Sequence, residues 1–278
     1  MQKILFVTDA MRLNTNTIDF ASYIAKMTQS KLAGIFLDNL KYESTPQIKE
    51  YMGTAYVESI VSDEEQSPEQ KEAIKKNINI FREYCKQNDI SGIVHLDKGL
   101  PITEALRESR FADMIIVDPA TSFAYHEETI PTKFVRNLLM KSECPVIVAP
   151  GRFEQIDEIV FAYDGSSSSV FAIKQFTYLL PQFVVKQITL LHIKENEQDV
   201  FDGENKIGEW LKIHYPAVVH QVLSGDAAEE LFKNFWGQSN KLIVMGAYGR
   251  SKFATLFDPS TADKLLKTVD TPVFISHL

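Results

Sequence analysis

Two glycines, Gly246 and Gly249, follow a short apolar run, and their spacing is the feature of the sequence best suited to binding chemistry. The run, 242–245, predicts a buried strand, after which the backbone must turn sharply or approach another group closely. Asp258 and Pro259 then have the pattern of a helix start, an N-cap residue followed by a proline. A strand, a glycine turn and a helix start in this order offer backbone N–H groups to an anion. The segment therefore predicts an anion site.

Nucleophilic and metal chemistry have weaker signals. The serine run 166–169 lies in no Gly-x-Ser-x-Gly elbow, and no histidine is placed to act as its base. The two cysteines, Cys85 and Cys144, have neither metal-binding nor redox spacing, which predicts reduced thiols. No histidine pairs with a carboxylate at helical spacing, so we expect no metal site. The histidines are His95, His126, His192, His214, His220 and His277.

Composition and charge exclude several classes of partner. The chain has 278 residues, 45% of them hydrophobic and 24% charged, with a net charge of −8. Residues up to Pro150 include 17 basic and 21 acidic side chains, and the remainder include 12 and 16, so each half carries −4. Without a basic region, binding to nucleic acid or to an anionic membrane is not expected. No apolar segment is long enough to span a membrane and Asp9 interrupts the N-terminal one, so we expect a cytoplasmic protein.

Strand and helix patterns alternate along the chain, and the second half repeats the order of the first. Residues from Asp38 to about 70 break the pattern and are expected to form a surface insertion. Landmarks of the two halves correspond at an offset that falls from 155 to 128 residues: Asp9 with Asp164, Asp118 with Gly246, Pro131 with Pro259, and Pro145 with Pro272. Predicted strands are 3–8, 32–37, 93–96, 114–117 and 145–149, then 159–163, 188–193, 218–223, 242–245 and 272–276. Predicted helices are 17–27, one from about 68, 102–109 and 132–141, then 168–180, 206–214, 228–236 and 260–268.

Nearly continuous apolar strands that alternate with helices indicate parallel sheets covered on both faces. We therefore predict an α/β fold with two doubly wound, five-stranded parallel-sheet domains, at 1–150 and 151–278. The last strand of each half begins with a proline and is expected at a sheet edge. Pairing 145–149 with 272–276 would remove both edges and give a pseudo-twofold molecule, an intramolecular pseudo-dimer, with a homodimer as a further expectation.

Three segments carry a resemblance to a known family. They are DGSSS (164–168), LLHI (190–193) and VMGAYGRS (244–251), and ADMIIV (112–117) is their echo in the first half. Together and in this order, they resemble the universal stress protein family in its tandem two-domain form, with a Rossmann-like fold. The resemblance covers the chain apart from the insertion near 40–70.

The resemblance implies an adenine nucleotide, ATP with Mg²⁺, in the C-terminal half. Nucleotide-binding members carry Gly-x2-Gly-x9-Gly-Ser/Thr, which Gly246, Gly249 and Ser260 match, whereas Pro259 replaces the third glycine. Asp164 and the backbone near Ala162 and Ile193 would hold adenine and ribose, and the glycine loop and helix start would hold phosphates. The implied cofactor-binding residues are Ala162, Tyr163, Asp164, Ile193, Gly246, Gly249, Arg250, Ser260 and Thr261.

Substitutions within the motif predict that the two halves differ in their affinity for a nucleotide. Pro259 removes one N–H donor, at a cost of about 1.5–3 kcal/mol for a bond to a charged group, or about ten- to a hundredfold in affinity. Asp258 could instead occupy the pocket itself. In the first half, Asp118 and Thr121 stand where the glycines would be and Pro131 repeats the proline. We expect that half to bind no ATP.

The resulting hypothesis is a non-catalytic stress-response protein, at most a very slow ATPase, that senses an adenine nucleotide. A nucleotide-free scaffold of the same fold, which binds an unknown protein partner through these loops or the insertion, is the alternative. An ATP pyrophosphatase or nucleotidyl transferase would need a Ser-Gly-Gly loop or a His-x-Gly-His signature, and the segment after Asp164 has neither.

Overall fold

The computed structural model of the chain describes residues 2–39, 42–51, 54–63, 67–194, 203–235, 237–246 and 271–276. The predicted helix 260–268 lies outside them. The strands are β1 (Lys3–Asp9), β2 (Lys31–Asn39), β3 (Tyr42–Tyr51), β4 (Thr54–Asp63), β5 (Gly92–Gly99), β6 (Met114–Val117), β7 (Val146–Val148), β8 (Glu158–Ala162), β9 (Gln187–Lys194), β10 (Val219–Ser224), β11 (Lys241–Gly246) and β12 (Val273–Ser276). The helices are α1 (Thr15–Thr28), α2 (Pro68–Gln87), α3 (Pro101–Ser109), α4 (Lys133–Lys141), α5 (Ser167–Leu179), α6 (Glu204–His214) and α7 (Ala227–Phe235), with a 3-10 helix at Pro181–Val185.

Ten strands form one sheet in the order β10-β9-β8-β11-β12-β7-β6-β1-β2-β5. Within each half the pairs are parallel, and both halves have the strand order 3-2-1-4-5 when their strands are numbered along the chain. This is the doubly wound arrangement, in which the direction of winding reverses between the first and fourth strands. The predicted α/β fold is confirmed.

The two halves meet through their fifth strands. β7 and β12 pair antiparallel, with Ile147 opposite Phe274 and Val148 opposite Val273. All residues of both strands are buried. The predicted pairing of these strands within one chain is confirmed, and it joins what the sequence suggests are two separate layers into one continuous sheet.

The segment predicted as a surface insertion has regular structure of its own. β3 and β4 pair antiparallel over ten residues each and form a two-stranded sheet apart from the main one. β2 also extends to Asn39, past the residue where the pattern was expected to break. Pro46 lies within β3, opposite Ser59, which is tolerated because a two-stranded ribbon leaves one edge of each strand without a partner. The segment is thus an antiparallel hairpin inserted between β2 and α2, outside the main sheet, and the sequence did not predict these two strands.

Helices cover both faces of the main sheet, and the sequence determines where they begin. On α2, Ser67 and Gln70 form a capping box and Pro68 occupies the first turn. The helix buries Ile74, Ile78, Phe81 and Cys85, a spacing of three to four residues that places one stripe against the sheet. One core cluster lies between the sheet and α1, α2, α5 and α6, and the other lies on the opposite face under α3, α4 and α7.

Among the described residues, no helix combines the length and the apolar content needed to cross a membrane.

Candidate functional site

The candidate site lies at the carboxyl ends of three neighbouring strands of the second half. β8 stands between β9 and β11, so the ends of these strands share one edge region of the sheet. The structure brings together five predicted residues there: Ala162, Tyr163, Asp164, Ile193 and Gly246. The β8–β11 pair is also where the winding reverses, and ligands of doubly wound sheets bind in the crevice at that point.

The remaining predicted residues lie outside the described part of the chain. They are Gly249, Arg250, Ser260 and Thr261, together with the motif's Asp258 and Pro259. Their roles remain predictions from the sequence.

Asp164 fixes the turn that leads from β8 into α5. Its Oδ1 accepts a hydrogen bond from the backbone N–H of Ser166 at 3.0 Å. The N-cap itself is Ser166, whose hydroxyl accepts from the backbone N–H of Ser169 at 3.1 Å. Asp164 therefore stabilises the turn, whereas the cap of α5 is the residue two positions on. Asp9 and Asp118 make the same bond to the residue two positions on, Met11 and Ala120, each at 2.8 Å.

Gly246 is required by packing against the first turn of α5. A Cβ atom at this position would lie 2.5 Å from the carbonyl carbon of Ser168 and 2.7 Å from the nitrogen of Ser169. Both are backbone atoms, so a side chain cannot be accommodated by a rotamer change alone. The helix start and the end of β11 are thus in direct contact.

Tyr163 and Ile193 present only their backbones to this edge. Tyr163 is 1% exposed, and its ring meets that of His192 edge-on with centroids 5.2 Å apart. Its backbone N–H donates to the carbonyl of Leu191 at 2.9 Å. Ile193 is 2% exposed and packs on the opposite face of the sheet. These side chains belong to the core. That a ligand contacts the backbone there stays a prediction.

The equivalent crevice of the first half is bridged by side chains. Asn14, the N-cap of α1, donates from Nδ2 to Oδ2 of Asp118 at 2.5 Å. Asp118 follows β6 and corresponds to Gly246, and Asn14 stands at the start of the helix that corresponds to α5. The first half therefore has a side-chain hydrogen bond where the second half has helix packed against glycine.

The loop between β6 and α4 is also held by hydrogen bonds among its own residues and to the start of α4. Glu128 accepts from the hydroxyl of Ser122 and, at 3.2 Å, from the backbone N–H of Lys133, the first residue of α4. Thr132 caps the helix by accepting from the N–H of Val135 at 3.3 Å, and its hydroxyl donates to the carbonyl of Thr121. A carboxylate at a helix N-terminus satisfies the charge preference that a phosphate would satisfy. That this half binds no ATP stays a prediction from the sequence.

Asp9 stands at the end of β1, where Asp164 stands at the end of β8. Burial raises the pKa of the Asp9 carboxyl, and the neighbouring Asp38 adds to the rise. The N–H of Met11 and the charge of Arg12 oppose it. The carboxyl is thus confined between a turn and a second carboxylate, a poor environment for a further anion.

Sequence reasoning did not identify Asn14 or Glu128. Asn14 had a local signal, because an asparagine directly before an amphipathic run is a typical N-cap. Glu128 had no such local signal, since the path of the loop determines which groups its carboxylate contacts.

Comparison with known proteins identifies relatives by sequence and by structure. No protein-family model matches the sequence. A universal stress protein of Synechocystis sp. is 28% identical over 132 residues, which are 46% of this chain and 45% of that protein, so the match spans less than half of the curated relative.

Solved structures match over the whole chain. A universal stress protein from Archaeoglobus fulgidus is similar with a TM-score of 0.67 and 15% identity, covering 99% of this chain and 96% of that one. A second, described as a putative universal stress protein from Pseudomonas aeruginosa, has a TM-score of 0.60 and 14% identity, covering 100% and 93%. The resemblance predicted from the sequence is thereby confirmed: this chain is similar to the universal stress proteins in sequence over part of its length and has their fold throughout.

Proposed function

We propose that the C-terminal half binds an adenine nucleotide, ATP with Mg²⁺, at the carboxyl ends of β8 and β11, and that the protein acts in a stress response as a nucleotide-dependent regulator. The observation that carries the proposal is the difference between the two crevices. The second half has Gly246, which lacks a side chain, at the position of Asp118 in the first half. Asp118 accepts a hydrogen bond from Asn14 at 2.5 Å. At this point the second half has no carboxylate, whereas in the first half the Asn14–Asp118 hydrogen bond joins the helix start to the strand end.

Electrostatics favour the second half for an anion. A carboxylate about 4 Å from a phosphate costs about 4 kcal/mol at an effective dielectric constant of 20. The first half has Asp118 and Glu128 in its β6–α4 loop. The corresponding segment of the second half has Gly246 in place of Asp118 and includes Arg250 and Lys252, although it also includes Asp258.

Each residue has a defined role in this proposal. Asp164 accepts a hydrogen bond from a ribose hydroxyl, and backbone groups near Ala162 and Ile193 contact adenine. Backbone N–H groups at Ser260 and Thr261 bind phosphate oxygens, because a helix start favours an anion. Pro259 supplies no N–H, so affinity is lowered about ten- to a hundredfold relative to a glycine there.

Isothermal titration of the full chain with ATP and Mg²⁺ tests the proposal. D164N retains an oxygen acceptor for the Ser166 N–H and so keeps the turn, but it replaces the carboxylate; we expect ATP affinity to fall about tenfold. D9N makes the same change in the first half and should leave ATP binding unaltered. P259G should tighten binding at least tenfold. Absence of binding by the wild type at millimolar ATP would refute the proposal.

A nucleotide-free scaffold is the second candidate, and one observation favours it. The absence of a side chain at Gly246 is already explained by the 2.5 Å approach of the Ser168 backbone, so this glycine needs no ligand to account for it. On this alternative the same edge of the sheet, or the β3–β4 hairpin, contacts a protein partner. The wild-type titration separates the two functions, because a nucleotide-free scaffold binds no ATP. Binding by P259G but not by the wild type would mean that Pro259 is what blocks the nucleotide.

A further inference from the structure

Three side chains that can bind a metal meet at the β5 edge of the sheet. His95 and Asp97 are two residues apart on β5 and therefore point to the same face, and Glu108 reaches them from α3. Nδ1 of His95 lies 3.2 Å from Oε1 of Glu108. One ligand atom from each of the three residues lies within 4.8 Å of the others.

The Asp97 carboxylate brings to this cluster one oxygen without a described hydrogen-bond partner. Its Oδ2 is shielded from solvent and has no hydrogen-bond partner among the residues that the structure describes. A shielded carboxylate oxygen without a described hydrogen-bond donor therefore lies beside a second carboxylate and an imidazole.

The second half shows that the fold itself does not require these residues. Gly99 and Gly225 both have positive φ and lie against Glu104 and Glu230 respectively, which aligns β5–α3 with β10–α7. On that alignment the positions of His95, Asp97 and Glu108 are occupied by Gln221, Leu223 and Asn234. The same strand and helix thus form without any of the three ligand types.

Lys3 is the other described basic side chain in contact with Glu108, and it does not contact the oxygen that faces His95. Its Nζ lies 3.4 Å from Oε2 of Glu108, the oxygen that does not contact His95. Oε1 therefore stays directed at His95 while Lys3 holds the other oxygen. Such outer partners orient the carboxylates of metal sites.

We propose that His95, Asp97 and Glu108 form a binding site for a divalent transition-metal cation, Zn²⁺ in the first instance. One imidazole nitrogen and two carboxylate oxygens are a ligand set that Zn²⁺ accepts, with water in the fourth position of a tetrahedron. Mg²⁺ and Ca²⁺ prefer oxygen ligands throughout and are disfavoured by the imidazole. The bound ion would join the edge strand β5 to α3. Sequence reasoning missed the site because its ligands are spaced for a strand and a following helix instead of one helix face.

Titration of the full chain with ZnCl₂ after treatment with a chelator tests the site. We expect one bound ion per chain, with affinity at least about tenfold lower in H95Q and in D97N, since even outer-shell changes at metal sites cost that much. H220Q, which alters a histidine of the equivalent edge strand β10, is the matched control and should bind Zn²⁺ as the wild type does. Replacement of Zn²⁺ by Co²⁺ should give the visible absorption of a tetrahedral site, and H95Q should lose it.

Urea unfolding of H95Q and D97N without metal checks that both variants are folded. If one is not, the comparison rests on the other and on E108Q. The proposal is overturned if wild type binds no Zn²⁺ at millimolar concentration, or if folded H95Q binds it with unchanged affinity.

Discussion

Asn14 and Asp118 are 104 residues apart in sequence, yet Nδ2 of the first donates to Oδ2 of the second at 2.5 Å. Asn14 has two functions, because its Oδ1 also accepts from the backbone N–H of Asn16 at 3.0 Å and caps α1. The start of α1 is thereby bound to the end of β6. In the second half the equivalent contact is made by packing at Gly246, with no side chain to contribute.

Substitution of Asn14 separates these two functions. N14S keeps a cap but loses the amide that contacts Asp118, so we expect the free energy of unfolding to fall by about 0.5–1.5 kcal/mol. N14A loses the cap as well, at a further cost of about 1 kcal/mol. Urea unfolding measures both. If N14S were as stable as the wild type, the bond to Asp118 would contribute nothing.

Gly246 and Gly208 should respond oppositely to alanine. G246A places a Cβ 2.5 Å from backbone of α5, and overpacking of this kind costs about 1–3 kcal/mol. Gly208 lies within α6, where a Cβ would meet, among the described residues, only Cε1 of His220 at 3.8 Å. G208A should therefore stabilise the protein by about 0.5–1 kcal/mol, since alanine is the better helix former. Thermal or urea unfolding of G246A and G208A measures both changes in stability. Equal effects of the two substitutions would contradict the packing explanation.

The sequence predicted the strands well because burial on both faces leaves a simple pattern. β1 is apolar from Ile4 to Val7 and buried throughout that run. It predicted the junction of β7 and β12 from a physical requirement, the removal of two apolar edges. It did not predict β3 and β4, because neither segment alternates clearly between apolar and polar residues and Pro46 argues against a strand.

The candidate site was predictable only in part. Asp164 and Gly246 were identified because both follow apolar strands directly, and parallel topology brings such positions together. The closing contacts of the first half could not be found in this way. Glu128 reaches the N–H of Lys133 through the path of a loop, and no periodicity specifies that path.

The buried thiol of Cys144 should make stability depend on alkaline pH. Burial, assisted by Asp113 and Glu143, raises the pKa of this thiol to about 12 from 9.0. Because the pKa is higher in the folded state, the thiol's contribution to the free energy of unfolding is fully present below pH 9. It is lost as pH rises towards 12, because only the unfolded chain ionises in that interval. At pH 10 the loss is about 1.4 kcal/mol for this one group.

C144A tests that dependence. The variant should lose stability at neutral pH through the missing sulfur, yet its free energy of unfolding should fall less steeply between pH 8.5 and 10 than that of the wild type. C85A is the matched comparison, since burial raises the pKa of Cys85 to about 11. Parallel curves for wild type and C144A in urea unfolding would show that this thiol does not ionise on unfolding.

Phe274 should couple the stability of the two halves. It lies opposite Ile147 across the antiparallel junction, is completely buried, and meets the ring of Phe176 edge-on with centroids 5.4 Å apart. F274A removes a large side chain from the core cluster that spans both halves and should cost about 3–5 kcal/mol. F111A is the control, because Phe111 is 72% exposed and its loss should change stability by no more than about 0.5 kcal/mol.

The shape of the F274A transition is as informative as its midpoint. Both tryptophans belong to the second half, so fluorescence reports that half while far-ultraviolet circular dichroism reports the whole chain. Coincident transitions in the wild type indicate cooperative unfolding of the joined sheet. In F274A the weakened junction should let the fluorescence transition precede the dichroism transition. Curves that shift together by the full amount would mean that the rest of the β7–β12 pairing suffices to keep the halves one cooperative unit.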